Sequence, residues 1–250
     1  MIEISIVIPA YNEERRLPST LSAVHKYLAG SGRTFEIIIV DDGSVDSTFE
    51  YVDAFAESHE GVRVLSYMPN KGKGHAVRIG MLAAQGEAVL FDDADGSSPI
   101  EEVEKLLTKI NSGADVAIGS RAKPGEERTV KALAYRKYIG NTFNLIVQSL
   151  LLPGIMDTQC GFKMFKQAVA KDVFSVARQD GFAFDVEVLY ISKLRGYSLE
   201  EVPINWANVE GSKVNVFSDS PKMLIDVIRI AVGAWTGRYR KAPNAKVKSG

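Results

Sequence analysis

The first half of the chain alternates short runs of apolar, β-branched residues with longer segments in which apolar residues recur every three or four positions. The runs lie at Ile4–Ile8, Glu36–Val40, Val62–Ser66, Ala88–Phe91 and Asp115–Gly119, and continuous apolar runs of this length predict strands covered on both faces. Between them Leu17, Leu21, Val24 and Leu28 repeat at about one helical turn, as do Phe49, Val52 and Phe55. The next helix is predicted from its start signals, Ser98 as N-cap, Pro99 as first helical residue and Glu101 at the third. Its buried stripe is Ile100, Val103, Leu106, Leu107 and Ile110. The alternation predicts an α/β fold, a Rossmann-like, mostly parallel sheet flanked by helices. In such sheets ligands bind at the carboxyl ends of the strands, where Asp41, Asp42, Asp93 and Asp95 fall.

The second half is less regular. Arg121 to Arg128 reads as a charged loop with Pro124 and Gly125. Tyr135–Leu152 and Phe182–Leu194 predict helices, and Leu199–Trp206 a late strand. From Pro221 to Thr236 an amphipathic helix is predicted (Met223, Leu224, Val227, Ile228, Ala231, Trp235), followed by Arg238, Arg240, Lys241, Lys246 and Lys248.

Composition narrows the function classes. Of 250 residues, 46% are hydrophobic and 24% charged, enough apolar side chains for a real core. A net charge of −1 argues against a nucleic-acid binder working through bulk electrostatics. The single cysteine, Cys160, excludes an intramolecular disulfide and fits a reducing compartment. The chain enters its first strand without the basic start and apolar run of a signal peptide. The longest uncharged stretch, Tyr138 to Met156, carries Asn141, Asn144, Gln148, Pro153 and Gly154, too many polar and breaking residues for a membrane span.

The candidate chemistry gathers after the fourth predicted strand, which runs straight into Asp92, Asp93 and Asp95. Carboxylates at the end of a buried strand are costly unless a cation or hydrogen-bond donors neutralise them. In an extended chain Asp93 and Asp95 point to the same side. A hard divalent ion, Mg2+ or Mn2+, takes one or two carboxylates and completes its shell with phosphate oxygens. The pattern therefore suggests a metal-bridged nucleotide diphosphate. The alternative is a solvated Asp-rich turn that caps the next helix.

Three motifs follow strands in order: Val7-Ile8-Pro9-Ala10-Tyr11-Asn12-Glu13-Glu14, Val40-Asp41-Asp42-Gly43-Ser44-Val45-Asp46-Ser47-Thr48, and Asp93-Ala94-Asp95. Together they resemble the family 2 inverting glycosyltransferases of GT-A fold, which use nucleotide-diphosphate sugars. Further on come Gly119-Ser120-Arg121, Tyr135-Arg136-Lys137, Asp157-Thr158-Gln159-Cys160-Gly161-Phe162-Lys163, Phe184-Asp185-Val186-Glu187, Val202-Pro203-Ile204-Asn205-Trp206 and Gly211-Ser212-Lys213. These look like dolichyl-phosphate glucosyltransferases and, less closely, dolichyl-phosphate mannosyltransferases. Two departures stand out. The eukaryotic glucosyl relatives carry an N-terminal membrane helix that has no counterpart before Ile4. The mannosyl relatives have an arginine before their Gly-x-Ser-Lys motif, where Asn208 stands here, which favours glucose.

The resemblance implies a catalytic domain over 1–218, with a nucleotide-sugar half over 1–121 and an acceptor half over 122–218. It is followed by an interfacial helix over 219–236 and a basic tail over 237–250. Pro9, Ala10, Tyr11, Glu13, Val40 and Asp42 would hold the nucleotide, with Tyr11 offering a ring face to the base; core packing is the alternative for Tyr11, and local turn capping for Asp42. Asp46 reads as the cap of the next helix. Asp93, Ala94 and Asp95 would serve the donor, with Asp93 and Asp95 as metal ligands. Asn70–Gly74 lacks the phosphate-loop pattern and reads as a flexible loop near the nucleotide.

A phosphate monoester acceptor has a second pKa of about 6, so it needs cationic positioning rather than a general base. Arg121, Arg136 and Lys213 are the candidates, and Lys213 is equally suited to the diphosphate. Asp185 and Glu187 would orient cations or sugar hydroxyls. Gln159, Cys160 and Gly161 would border the acceptor pocket, with no nucleophilic role for Cys160, since inversion is a single displacement. The implied reaction is transfer of glucose from a UDP-sugar donor to a dolichyl or polyprenyl phosphate by a Mg2+- or Mn2+-dependent enzyme. It would act peripherally at the cytosolic face of a membrane and is a candidate homo-oligomer. Transfer of mannose from GDP-mannose and a non-catalytic nucleotide-sugar-binding module are the alternatives. Lipid contact would come from Phe143–Leu152 or Met223–Trp235, and removing 219–250 is expected to weaken it while UDP-sugar binding persists.

Overall fold

The structure, a computed structural model, describes residues 1–123, 130–131, 145–209 and 216–239. Its centre is a seven-stranded sheet in the order β3-β2-β1-β4-β7-β5-β8. The strands are β1 (Ile4–Ala10), β2 (Phe35–Asp41), β3 (Val62–Ser66), β4 (Ala88–Asp92), β5 (Val116–Ser120), β7 (Phe162–Lys166) and β8 (Leu199–Pro203). A separate two-stranded ribbon pairs β6 (Val130–Lys131) with β9 (Trp206–Ala207). Side chains that alternate along each strand divide between two cores. Val7, Ile38 and Val40 enter one and Ile6, Ile8, Ile37 and Ile39 the other, all fully buried. Each such side chain contributes about 1.5–3 kcal/mol by leaving water. The second core is closed by α1 (Leu17–Gly30) and α4 (Val103–Asn111), through Leu21, Val24, Leu106 and Ile110. The first is closed by α3 (Lys73–Ala83), α5 (Gln167–Phe174), α6 (Phe184–Leu194) and α7 (Val216–Trp235). Helix α2 (Thr48–Ser58) flanks β3.

Every pairing in the main sheet is parallel except those of β7, which runs antiparallel between β4 and β5. The mostly parallel sheet expected from the sequence is thus the one observed, with β7 as an added strand. Its sequence, Phe-Lys-Met-Phe-Lys, does not read as a buried run, yet Lys163 is fully buried. The Lys163 ammonium pairs with Asp185 on α6 and donates to the Cys160 carbonyl at 2.5 Å. Those partners compensate a charge that would otherwise be expelled from the interior.

Several boundaries differ from the expectations. Pro99 keeps an extended ψ of 135° and cannot be the first residue of a helix; it is itself the cap of a 3-10 turn, Ile100–Glu102, that precedes α4, so Ser98 lies one residue outside the N-cap position. The late strand divides into β8 and β9, with Ile204 and Asn205 between them. Of the helix expected over Tyr135–Leu152, residues 135–144, Arg136 and Phe143 included, lie outside the described residues. Residues 145–150 are helical and seat Val147 in the first core, as do Leu151 and Leu152 just beyond.

Helix α7 buries Val227 and Ile230. Four residues past it, Tyr239 is 1% exposed and belongs to the same core. Its hydroxyl donates to Glu187 at 2.7 Å, and Arg195 donates to its carbonyl at 3.1 Å. Tyr239 was expected in the tail and is instead part of the folded body; residues 240–250 lie outside the described ones. No helix among the described residues is long and apolar enough to cross a membrane.

Candidate active site

The carboxyl end of β4 carries three carboxyl groups in distinct environments. Asp92 is buried as the last strand residue, and burial, reinforced by the charges of Asp93 and Asp95, pushes it well above the usual carboxylate range. Asp93, the next residue, pairs with the Lys73 ammonium at 2.5 Å. Asp95 accepts the Ser97 N–H at 2.9 Å and lies 3.9 Å from the Arg16 guanidinium. Lys73 begins α3. Burial alone would lower its pKa, but the charges of Asp93 and Asp185 outweigh that and raise it. Lys73 and Arg16 both feel Asp93 and Asp95, so the two carboxylates act on one region.

Asp93 and Asp95 fit a hard divalent cation. They are oxygen donors, and the positive groups drawn to them show a local demand for cationic charge. Among the described residues no three or more His, Cys, Asp and Glu side chains are placed to hold a metal ion by themselves. A two-carboxylate set is what an ion sharing its shell with phosphate and water requires.

The nucleotide-side residues lie at the ends of β1 and β2. Pro9 and Ala10 close β1, and Val40 is buried in β2. Tyr11 is 37% exposed, which removes core packing as its role. Glu13 binds Arg16 through both carboxylate oxygens, and its N–H donates to Thr48. Asp42 does not cap its own turn; Asp41 does, accepting the Ser44 N–H. The Asp42 carboxylate instead accepts from the Lys71 N–H at 2.7 Å, the Gly72 N–H at 2.8 Å and the Asn70 side chain at 2.7 Å. It thereby anchors the loop that leads to Lys73. Asp46 accepts the Thr48 N–H at the start of α2, the capping role expected of it.

The block expected to border the acceptor meets the carboxylates expected to serve the donor at Gly161. A Cβ on Gly161 would coincide with the Asp93 carboxylate, so only glycine allows this approach. Ala94, between the two acidic residues, packs into the second core. Next to Gly161, the buried Cys160 thiol is pushed up to about 12, chiefly by burial, and is no thiolate at neutral pH. Gln159 donates its N–H to Asp157, and its side-chain nitrogen has no protein partner among the described residues.

Arg121, just past β5, forms a bidentate pair with Asp157, both bonds 2.8 Å, and lies 5.3 Å from the Trp206 ring centroid. Burial would raise the Asp157 pKa, but the Arg121 charge holds it below the usual range. Asp185 is buried against Lys163 rather than open to the cleft, and burial raises its pKa. The structure thus brings Asp93, Asp95, Gly161, Asp185 and Arg121 to one end of the sheet, with Arg121 within electrostatic reach of Asp93. Arg136 and Lys213 lie outside the described residues. The structure adds contacts for Lys73, Lys163, Asp157 and Trp206, residues that lie in stretches named above but were given no role there. For Lys73 the signal was its two flanking glycines, which let the loop approach residues 179–181 closely.

Comparison with known proteins places the family and the fold. A model of glycosyl transferase family 2 matches residues 5–174. The curated dolichyl-phosphate beta-glucosyltransferase of Drosophila melanogaster is 37% identical over 94% of this chain and 77% of its own length. The Homo sapiens enzyme of that name is 35% identical over 98% and 80%, and the Saccharomyces cerevisiae one 38% over 96% and 77%. Among solved structures, glucosyl-3-phosphoglycerate synthase from Mycobacterium tuberculosis with Mn2+, UDP-glucose and phosphoglyceric acid superposes with a TM-score of 0.69. It does so at 18% identity, over 97% of this chain and 82% of that one. The same enzyme with Mg2+ and UDP gives 0.65 at 17% identity, over 97% and 81%. With the family match extending beyond β7 and relatives aligned over nearly all its length, the chain belongs to glycosyl transferase family 2 and has the GT-A fold.

Proposed function

We propose that the chain transfers glucose from UDP-glucose to a dolichyl or polyprenyl phosphate with inversion at the anomeric carbon. The observation that carries this reading is the contact between Gly161 and Asp93, which joins the acceptor-side block to the donor carboxylates. The names of the curated relatives support the choice of sugar and lipid.

In this mechanism a phosphate oxygen of the acceptor attacks C1 of glucose. The bond from C1 to that oxygen forms as the bond from C1 to the UDP oxygen breaks, and UDP leaves with the electron pair. The acceptor is mostly dianionic at neutral pH, so no side chain has to deprotonate it. Arg121 receives the phosphate, its guanidinium held in one orientation by Asp157 and backed by Trp206. The family resemblance assigns Arg136 and Lys213 to the same anionic groups. Asp93 and Asp95 would hold Mg2+ or Mn2+, which when bound neutralises charge developing on the diphosphate. Lys73 adds a second cation beside Asp93 for that diphosphate. Asp185 positions Lys163, and through it the Cys160 carbonyl that precedes Gly161.

The lipid acceptor requires a membrane approach, and α7 supplies a surface for it. Ile225, Ile228 and Val232 are each more than half exposed and Trp235 is 87% exposed, while Val227 and Ile230 face inward. This outward stripe, followed by basic residues, fits an interfacial helix at an anionic membrane face. A second copy of the chain is the other occupant such a stripe would accept.

The test is incubation with labelled UDP-glucose, Mg2+ and dolichyl phosphate, followed by solvent extraction. Label in the lipid phase is expected. An unlabelled lipid phase with consumption of GDP-mannose instead would overturn the glucosyl assignment.

A further inference from the structure

We propose that Glu187 and Tyr239 are positioning residues for the donor site, fastening the loop that presents Lys73 to Asp93. The proposal rests on reading Lys73 and Asp93 as part of the diphosphate subsite.

The connection is made of hydrogen bonds. Glu187 is fully buried on α6. One carboxylate oxygen accepts the N–H groups of Arg178 at 2.8 Å and Gln179 at 2.7 Å. The other accepts the Tyr239 hydroxyl at 2.7 Å. Two consecutive N–H groups aimed at one oxygen fix the backbone that carries them. Without that acceptor they would be donors lacking a partner.

The fixed segment is the wall against which the donor loop rests. The Asp180 carbonyl accepts from Gly74 at 2.7 Å and from His75 at 3.3 Å. The Asp180 carboxylate accepts from Arg78, one turn further along α3, at 2.8 Å. Gly72 and Gly74 approach so closely that a Cβ on either would collide with the backbone of residues 179–181. Lys73 lies between these glycines, and its ammonium is the partner of Asp93. A shift of residues 178–181 therefore moves Lys73 relative to Asp93.

Tyr239 brings the chain beyond α7 into this arrangement. Its ring is buried, its carbonyl is held by Arg195, and its hydroxyl orients Glu187. Losing one hydrogen bond of about 0.5–1.5 kcal/mol corresponds to as much as about tenfold in affinity.

The experiment is calorimetric titration of UDP with Mn2+ into the full chain. Tyr239→Phe keeps the ring and deletes only the hydroxyl, so it is the variant least prone to misfold. It is expected to bind UDP about three- to tenfold more weakly, with the KM for lipid phosphate unchanged. Glu187→Gln should stay near wild type, because an amide oxygen still accepts the two N–H groups and its NH2 donates to the tyrosine oxygen. Glu187→Ala should lose more than Tyr239→Phe. With Lys73→Ala as background, Tyr239→Phe should cost nothing further, since both act through one group. If Lys73→Ala weakens UDP binding while Tyr239→Phe does not, the positioning proposal is overturned and the donor reading stands. If Lys73→Ala itself binds UDP like wild type, the reading of this loop as part of the donor subsite falls.

Discussion

At the scale of single residues, Gly161 and Asp157 make separable predictions. A methyl group at Gly161 meets only the end of a movable carboxylate, so Gly161→Ala should fold normally. On the proposed reading the displaced Asp93 would no longer sit where the donor needs it, and misplacement by about 1 Å can cost a hundredfold. Turnover is therefore expected to fall by about two orders of magnitude with an unchanged melting temperature; a wild-type rate would detach Asp93 from catalysis. Asp157 tests the Arg121 pair through pH. Its pKa is depressed below 3.8, so it adds stability that is fully present above that value and fades as pH falls through the folded-state value. Asp157→Asn should cost about 3 kcal/mol at pH 7, at the low end for a buried pair because Arg121 is partly solvated. The gap should narrow below about pH 4. Urea unfolding of both proteins at several pH values measures it, and a pH-independent gap would exclude the ion pair as its source.

At the scale of elements, α7 presents two apolar faces and the next prediction separates them. Ile228→Asp with Val232→Asp changes only the outward face and should abolish sedimentation with anionic liposomes while UDP affinity is retained. Ile230→Asp places a charge in the core and should unfold the chain. Equal liposome binding by the outward double variant would reject α7 as the membrane contact. These substitutions are cleaner than removal of 219–250, which would also take away the buried Val227, Ile230 and Tyr239. The same elements show what was legible in the sequence. Strands β1 to β5 and helices α1, α2 and α4 announce themselves through local apolar patterns, whereas α3 does not, because Gly74, Ala76 and Gly80 are among the residues it buries and give no apolar period. Strand β7 does not, because one of its inward positions is Lys163, whose burial depends on Asp185, twenty-two residues away. Asp93 and Asp95, the carboxylates proposed for the donor, were legible as charges at a strand end. Gly161 was named for the acceptor side and Lys73 was marked by its flanking glycines, but their contacts with Asp93 were not legible, since sequence spacing does not encode them.

At the scale of the whole molecule, ligand linkage gives a test that needs no acceptor. A nucleotide sugar at a hundred times its Kd adds about 2.7 kcal/mol. For a domain of this size that raises Tm by about 5–10 °C. UDP-glucose with Mn2+ should produce such a shift and GDP-mannose should not; the reverse ranking would transfer the assignment to mannose. Strand order has a longer reach. The chain leaves the sheet after Ser120 and returns at Phe162, on a strand directly bonded to the one it left, Ile118 beside Lys163. An excursion whose feet are neighbours can lengthen, shorten or be replaced at small entropic cost, because closure entropy grows only slowly with length. On the proposed reading this detour carries the acceptor side, so the framework is modular: a chimaera given residues 121–161 of a relative is expected to take on that relative's acceptor preference while keeping its own nucleotide.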